Sequence, residues 1–375
     1  MKRIGIMLAA LTAVLAAAAQ TVLPCDSLLR RQAARVLMVG FRGDSVTEQS
    51  DAARYVRDLH VGAIVLFDID LTGTATVGSR NVTSKGRLAR MTAQLRRWAD
   101  EPLLIALDQE GGRVVRLKPQ YGYLPLPSAK HLGQLDSEDT TRFYGRRMAS
   151  QLAESGVNVN LAPVVDLDNP ACPALGKLDR CYAGDPDAVT RQAAWLIDEH
   201  HRQGVRCTLK HFPGHGNAAG DSHWGFVDVT DTWQPDELEP FRQLIARHQA
   251  DLVMTAHIIN RRIDPDYPAT LSHKTIDGLL RRQLGFDGVV VTDDLYMDAI
   301  LARYSIEEAL VLTLNAGADL ICVGNNINTG FEADRPFRLV EMIVQAVKDG
   351  RIAPSRLAEA SNRVQHLAQG ETQHE

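Results

Sequence analysis

The stretch GFDGVVVTDD, residues 285–294, decides the fold. Its unbroken valines do not alternate with polar residues as a half-exposed strand would, so both faces of this strand must be buried. The run then stops at two carboxylates, Asp293 and Asp294. Outward from it, runs rich in Val, Ile and Leu recur over residues 35–41, 61–67, 103–108, 157–166, 205–210, 251–257 and 318–323, with 288–293 seventh in order. Helical patterns lie between them. Leu88, Met91, Leu95 and Trp98 are three or four apart between 84 and 99, and Tyr144, Met148 and Leu152 share a face after Ser137, with Gly156 as the stop. Ser272 opens a third helix carrying Ile276, Leu279, Leu280 and Leu284 before Gly285. Ser305 with Glu308 has the spacing of a capping box, and a terminal helix follows about residue 355. Alternating strands and helices imply right-handed βαβ units. Eight such units fit an α/β (β/α)8 TIM barrel, which needs about 250 residues plus insertions. An open doubly wound sheet would want a Gly-rich phosphate turn after an early strand, and none appears. No Pro/Ser/Gly-rich linker divides the chain, so a single domain over residues 20–370 is expected, with a frayed tail at 371–375.

The net charge of −5 comes from 41 basic and 46 acidic residues without a like-charge block, which leaves no electrostatic footprint for nucleic acid. The first residues differ from the rest. Lys2 and Arg3 precede an apolar run over 4–19 that closes on Ala17, Ala18 and Ala19, the pattern of a signal peptide cut before Gln20. A membrane anchor is the competing reading, but the run falls short of the roughly 20 residues a spanning helix needs. Export to the periplasm or beyond, without stable membrane insertion after cleavage, is therefore the expectation. A lipoprotein at Cys25 fits poorly because Pro24 stands where a small residue is wanted. Of the five cysteines, Cys207 and Cys322 sit in apolar runs. Cys172 and Cys181 share one loop, where either a disulfide or two free thiols would suit an exported protein.

In a barrel, chemistry gathers where strands end. The third run ends at Asp108 and continues into Gln109, Glu110, Gly111, Gly112 and Arg113. The fourth ends at Asp166, Leu167 and Asp168, and the fifth runs into Lys210, His211 and the turn to Gly216. The sixth ends at His257 and the seventh at Asp293. So many ionisable groups at strand ends are hard to explain as packing.

The segments DQEGGRVVRL (108–117), LKHFPGHGNAAGDSH (209–223) and GFDGVVVTDDLYMDA (285–299) resemble glycoside hydrolase family 3 in its single-domain β-N-acetylglucosaminidase branch, in order over about 35–365. The resemblance implies a retaining, exo-acting β-N-acetylhexosaminidase that hydrolyses terminal β-linked N-acetylglucosamine from cell-wall or chitin-type oligosaccharides. It implies Asp293 as nucleophile, His223 as acid/base and Asp221 as the partner that orients His223. Sugar contacts are implied for Asp108, Arg116, Arg180, Lys210 and His211, with no metal or organic cofactor. The roles make physical sense. A carboxylate can hold a covalent glycosyl intermediate, and a histidine with an ordinary pKa of about 6.5 moves protons near neutrality with little tuning. Asp294, one residue on, should point elsewhere and is well placed as a helix N-cap. Gly214 and Gly216 are expected to supply conformations closed to other residues. Around Arg180 the wording Leu178-Asp179-Arg180-Cys181-Tyr182 departs from the family's loop. So does Trp224-Gly225-Phe226, which puts the leaving-group preference in doubt.

Other readings stay in view. His211, His215, His223 and Asp221 lie within thirteen residues, as zinc ligands can, although Pro213 and the glycines argue against the helix that would align them. A sugar-binding protein without catalysis, a β-glucosidase and a phosphorylase on the same fold are the remaining alternatives.

Overall fold

The computed structural model describes residues 24–73, 75–221, 225, 227–327 and 330–370. The expected signal peptide (1–19), His223 and the tail (371–375) lie outside the described residues. Eight strands form one parallel sheet: β1 (Leu37–Gly40), β2 (Ala63–Val65), β3 (Leu104–Leu107), β4 (Val159–Asn160), β5 (Arg206–Phe212), β6 (Leu252–Thr255), β7 (Val289–Thr292) and β8 (Ile321–Val323). Each pairs with its neighbours in chain order, and β8 returns to pair with β1, Leu37 opposite Ile321. Between β7 and β8 the last gap is bridged at Val291 and Leu320, where the Leu320 N–H donates to Val290 O at 3.0 Å. The result is a nearly closed eight-stranded parallel barrel. β4 is shorter than its apolar run because Pro163 has no N–H for the ladder. The pairing resumes one residue later, with Val164 opposite Lys210.

The consecutive apolar residues sort by parity. Met38, Ala63, Val65, Leu104, Ala106, Val159, Leu252, Met254, Val289, Val291, Leu320 and Cys322 fill the barrel interior. Their in-between neighbours Leu37, Val39, Ile64, Ile105, Leu107, Val253 and Val290 pack outward against the helices. A strand's period of two thus supplies two separate cores, and each fully buried aliphatic side chain contributes about 1.5–3 kcal/mol.

The helices begin where expected. Ser84 caps Lys85–Trp98 and Ser137 caps Glu138–Glu154, each accepting from an N–H three residues on. Ser305 caps Ile306–Ala316 by accepting from the Glu308 N–H. The helix after Ser272, Lys274–Gln283, winds wider than an α-helix, with five-residue hydrogen bonds such as Leu284 N–H to Leu279 O. Apolar spacing at three and four does not distinguish the two windings. The terminal helix is Pro354–Gln369, and no helix of the described residues is long and apolar enough to cross a membrane.

Helix Pro186–His201 is tied to the barrel through a buried histidine. Asn160 Nδ2 lies 3.1 Å from His200 Nε2, and His200 Nδ1 lies 2.8 Å from Leu196 O. The amide must donate and the carbonyl must accept, so the ring is the neutral Nδ1–H tautomer. Burial pushes its pKa from 6.5 down to about 4. Between those values the unfolded chain binds the proton and the native state does not, so stability falls as pH drops from about 6.5 towards 4. Melting temperature measured across that range should fall less steeply for H200Q than for the native protein. Equal slopes would contradict a histidine held neutral.

Candidate active site

The interior parity that packs the barrel also builds the site. Continuing the inward series gives Phe67 after Val65, Asp108 after Ala106 and Asp293 after Val291, each just beyond its strand's end, and Lys210 after Thr208 within β5. All four line a cavity of about 340 Å3 whose floor includes the interior residues Val65, Leu161, Met254 and Cys322. Arg113, Arg116 and Arg180 join them from the loops, and His211 from the end of β5.

The polar side of the cavity is a continuous ion-pair lattice. Asp108 accepts from Arg116 Nη2 and from Lys210 Nζ, both at 2.9 Å. Lys210 Nζ also lies 2.7 Å from Glu110 Oε1. Glu110 in turn receives Arg180 twice, Nε and Nη2 each at 2.8 Å. Burial would raise both carboxyls, but the adjacent cations outweigh it. Lys210 and Arg116 hold Asp108 far below its usual range, and Arg180 and Lys210 hold Glu110 at about 2. Behind Arg116, buried Asp68 takes the Lys118 ammonium and the Tyr121 hydroxyl.

The root of the loop after β5 hangs on two further carboxylates. Asp166 accepts from the backbone N–H of His211 at 3.1 Å and of His215 at 2.7 Å, and from His211 Nδ1 at 2.7 Å. Glu237 accepts from the Gly216 N–H at 2.9 Å and from Asn217 Nδ2 at 3.0 Å. The two glycines serve different needs. Gly214 has φ +115° and a Cβ there would stand 2.5 Å from Glu237 Cβ, whereas at Gly216 the Cβ would stand 2.2 Å from Leu167 O. Gly216 is required for room, not for a left-handed backbone.

The two adjacent aspartates have different tasks. Asp293 is partly exposed in the cavity, and its Oδ1 accepts the Asp294 N–H at 2.8 Å. Asp294 does not cap a helix. The next helix, Asp298–Leu301, starts four residues on with Met297 at its N-cap. Instead Asp294 Oδ1 takes the Tyr296 N–H and Oδ2 the Gly324 N–H, each at 3.0 Å. The short side chain prefers a local turn and a strap to β8. Burial, with the Asp293 charge adding to it, pushes Asp294 up to about 6.

Of the residues expected at the site, Asp293, Asp108, Arg116, Arg180, Lys210 and His211 are brought to one cavity. Asp221, partly exposed further along the loop, is not among the described residues lining it. Cys172 and Cys181 are free, buried thiols. The Arg180 loop is braced by hydrogen bonds, among them Arg180 Nη1 to Ala174 O at 3.0 Å and Lys177 N–H to Cys172 O at 3.0 Å. Sequence reasoning gave no role to Glu110 or Asp68. Reading β2 to its end, as was done for the third to seventh runs, would have found Asp68. Glu110 stands in a quoted segment, but on a three-residue hairpin strand with an irregular register, too short for periodicity to orient.

The chain is similar in sequence and in fold to known proteins. The beta-hexosaminidase of Tolumonas auensis is 34% identical over 269 residues, covering 71% of this chain and 76% of the relative. The glycoside hydrolase family 3 beta-N-acetylglucosaminidase of Paenibacillus sp. str. FPU-7 superposes with a TM-score of 0.81 at 35% identity, covering 91% of this chain. This chain spans only 62% of that Paenibacillus chain. The beta-N-acetylhexosaminidase of Beutenbergia cavernae, at TM-score 0.78 and 28% identity, is covered over 98% of its length. The sequence profile of the glycosyl hydrolase family 3 N terminal domain matches residues 28–367, and the chain belongs to that family.

Proposed function

We propose that the protein is a retaining, exo-acting β-N-acetylhexosaminidase that releases terminal β-linked N-acetylglucosamine from cell-wall or chitin-type oligosaccharides. The observation that carries this reading is the meeting of Asp293 with Asp108, Arg116, Arg180, Lys210 and His211 in one cavity. A carboxylate there faces donors and acceptors suited to sugar hydroxyls and an acetamido group. The names of the relatives support the same substrate class.

The reaction is a double displacement. Asp293 attacks the anomeric carbon while His223, oriented by Asp221, protonates the departing glycosidic oxygen. His223 then takes a proton from the water that attacks the glycosyl ester, and the sugar leaves with its configuration retained. We place this chemistry on a single-domain (β/α)8 barrel over 20–370, exported to the periplasm or beyond after removal of 1–19.

D293A should lower turnover of an aryl N-acetyl-β-glucosaminide by about three orders of magnitude or more, with little change in melting temperature. A variant that retains substantial turnover rules out this nucleophile. H223A should slow unactivated chito-oligosaccharides far more than aryl glycosides with good leaving groups. Equal slowing of both would remove His223 as acid/base. The released sugar should be free N-acetylglucosamine whether or not inorganic phosphate is present; a sugar phosphate would make the enzyme a phosphorylase. N-terminal sequencing of the exported protein should begin at Gln20, and retention of Lys2 would refute cleavage.

A further inference from the structure

We infer that Glu110 is a positioning residue for the sugar site, acting through Arg180 and Lys210 without touching the substrate. This rests on the proposed binding roles of those two cations. Glu110 is 6% exposed, and each of its oxygens is engaged by a cavity-lining cation. Arg180 comes from a loop, between the turn Gly176–Leu178 and helix Pro186–His201, so no strand register fixes where its guanidinium points. Two of the three hydrogen bonds that hold it are the bidentate grip of Glu110, which stands on the hairpin strand Gln109–Gly111 directly after β3; the third goes to Ala174 O in its own loop. The carboxylate passes the position of a barrel strand to a loop-borne arginine.

The donor arithmetic shows what this leaves for a ligand. Arg180 has five N–H groups; two go to Glu110 and one to Ala174 O, leaving one on each terminal nitrogen. Lys210 has three, given in part to Asp108 and Glu110, leaving one. Both side chains line the cavity, so the uncommitted hydrogens are the ones available to a bound sugar's oxygens. Planar fork-to-fork pairing sets direction as well as energy. Without Glu110, the Arg180 plane keeps only the single bond from Nη1 to Ala174 O, about which it can pivot, and Lys210 leans wholly on Asp108. Asp108 is itself proposed to contact the sugar, so the loss spreads to a second group.

A double-mutant cycle on the affinity for N-acetylglucosamine, measured by calorimetry with native protein, E110Q, R180A and E110Q/R180A, tests the inference. E110Q should weaken binding about tenfold in the native background and less than about threefold once Arg180 is gone, because the two act as one unit. In turnover, KM for the aryl glycoside should rise more than kcat falls. E110D retains the charge at shorter reach and is carried through the same cycle should E110Q fail to fold. An additive cycle, or a fall in kcat with KM unchanged, would overturn the role given to Glu110. A native protein that binds N-acetylglucosamine but turns over no glycoside would instead count against the hydrolase reading.

Discussion

Lys210 carries one ammonium between the half-buried carboxylate of Asp108 and the buried one of Glu110, with Nζ 2.9 Å from the first and 2.7 Å from the second. Everything polar in the cavity is arranged around that contact. Below it the barrel interior is mostly apolar, where an unpaired charge would cost far more than the fold gains from any single contact. A charged layer can lie on an apolar one only if every member is neutralised locally. The chain Arg116–Asp108–Lys210–Glu110–Arg180 does this, each anion between two cations. Removing one partner from such a buried pair typically costs about 3–5 kcal/mol, since the other is left uncompensated. The lattice is therefore both the ceiling of the core and the lining of the site.

The alternation of strand residues explains why much of this was legible beforehand. Once valines 289 to 291 read as buried on both faces, parity put Asp293 on the inward side, and the same parity aimed Asp108 and Lys210. Where regular structure stops, parity says nothing. Glu110 lies on a tight hairpin and Asp294 in a turn. Side chains there obey short-range bonds to nearby backbone that sequence spacing does not reveal. The N-cap expected of Asp294 failed for that reason: its oxygens serve Tyr296 and Gly324 instead. The disulfide considered between Cys172 and Cys181 likewise gave way to a loop braced by ordinary hydrogen bonds.

Two carboxylates hold the loop after β5 by its root. Asp166 takes both the His211 ring and the backbone around it, and Glu237 takes the Gly216 amide. Because both act on backbone N–H groups, they set the path of the chain before any side chain further along is placed. His215 contributes by being buried: its pKa is pushed down to about 4, so it stays neutral beside His211 and adds no repulsion to the cationic wall.

The closed floor has a consequence for traffic. Val65, Leu161, Met254 and Cys322 are nearly inaccessible and rest on further packed side chains, so the barrel is a dead end and not a tunnel. A glycan cannot thread through it. Whatever reaches Asp108 and Lys210 must enter and leave on the side where the strands end, in the order of a stack: the unit seated deepest is the last to depart. A leaving group nearer the opening goes first, and the water that follows it arrives through the space it has just vacated.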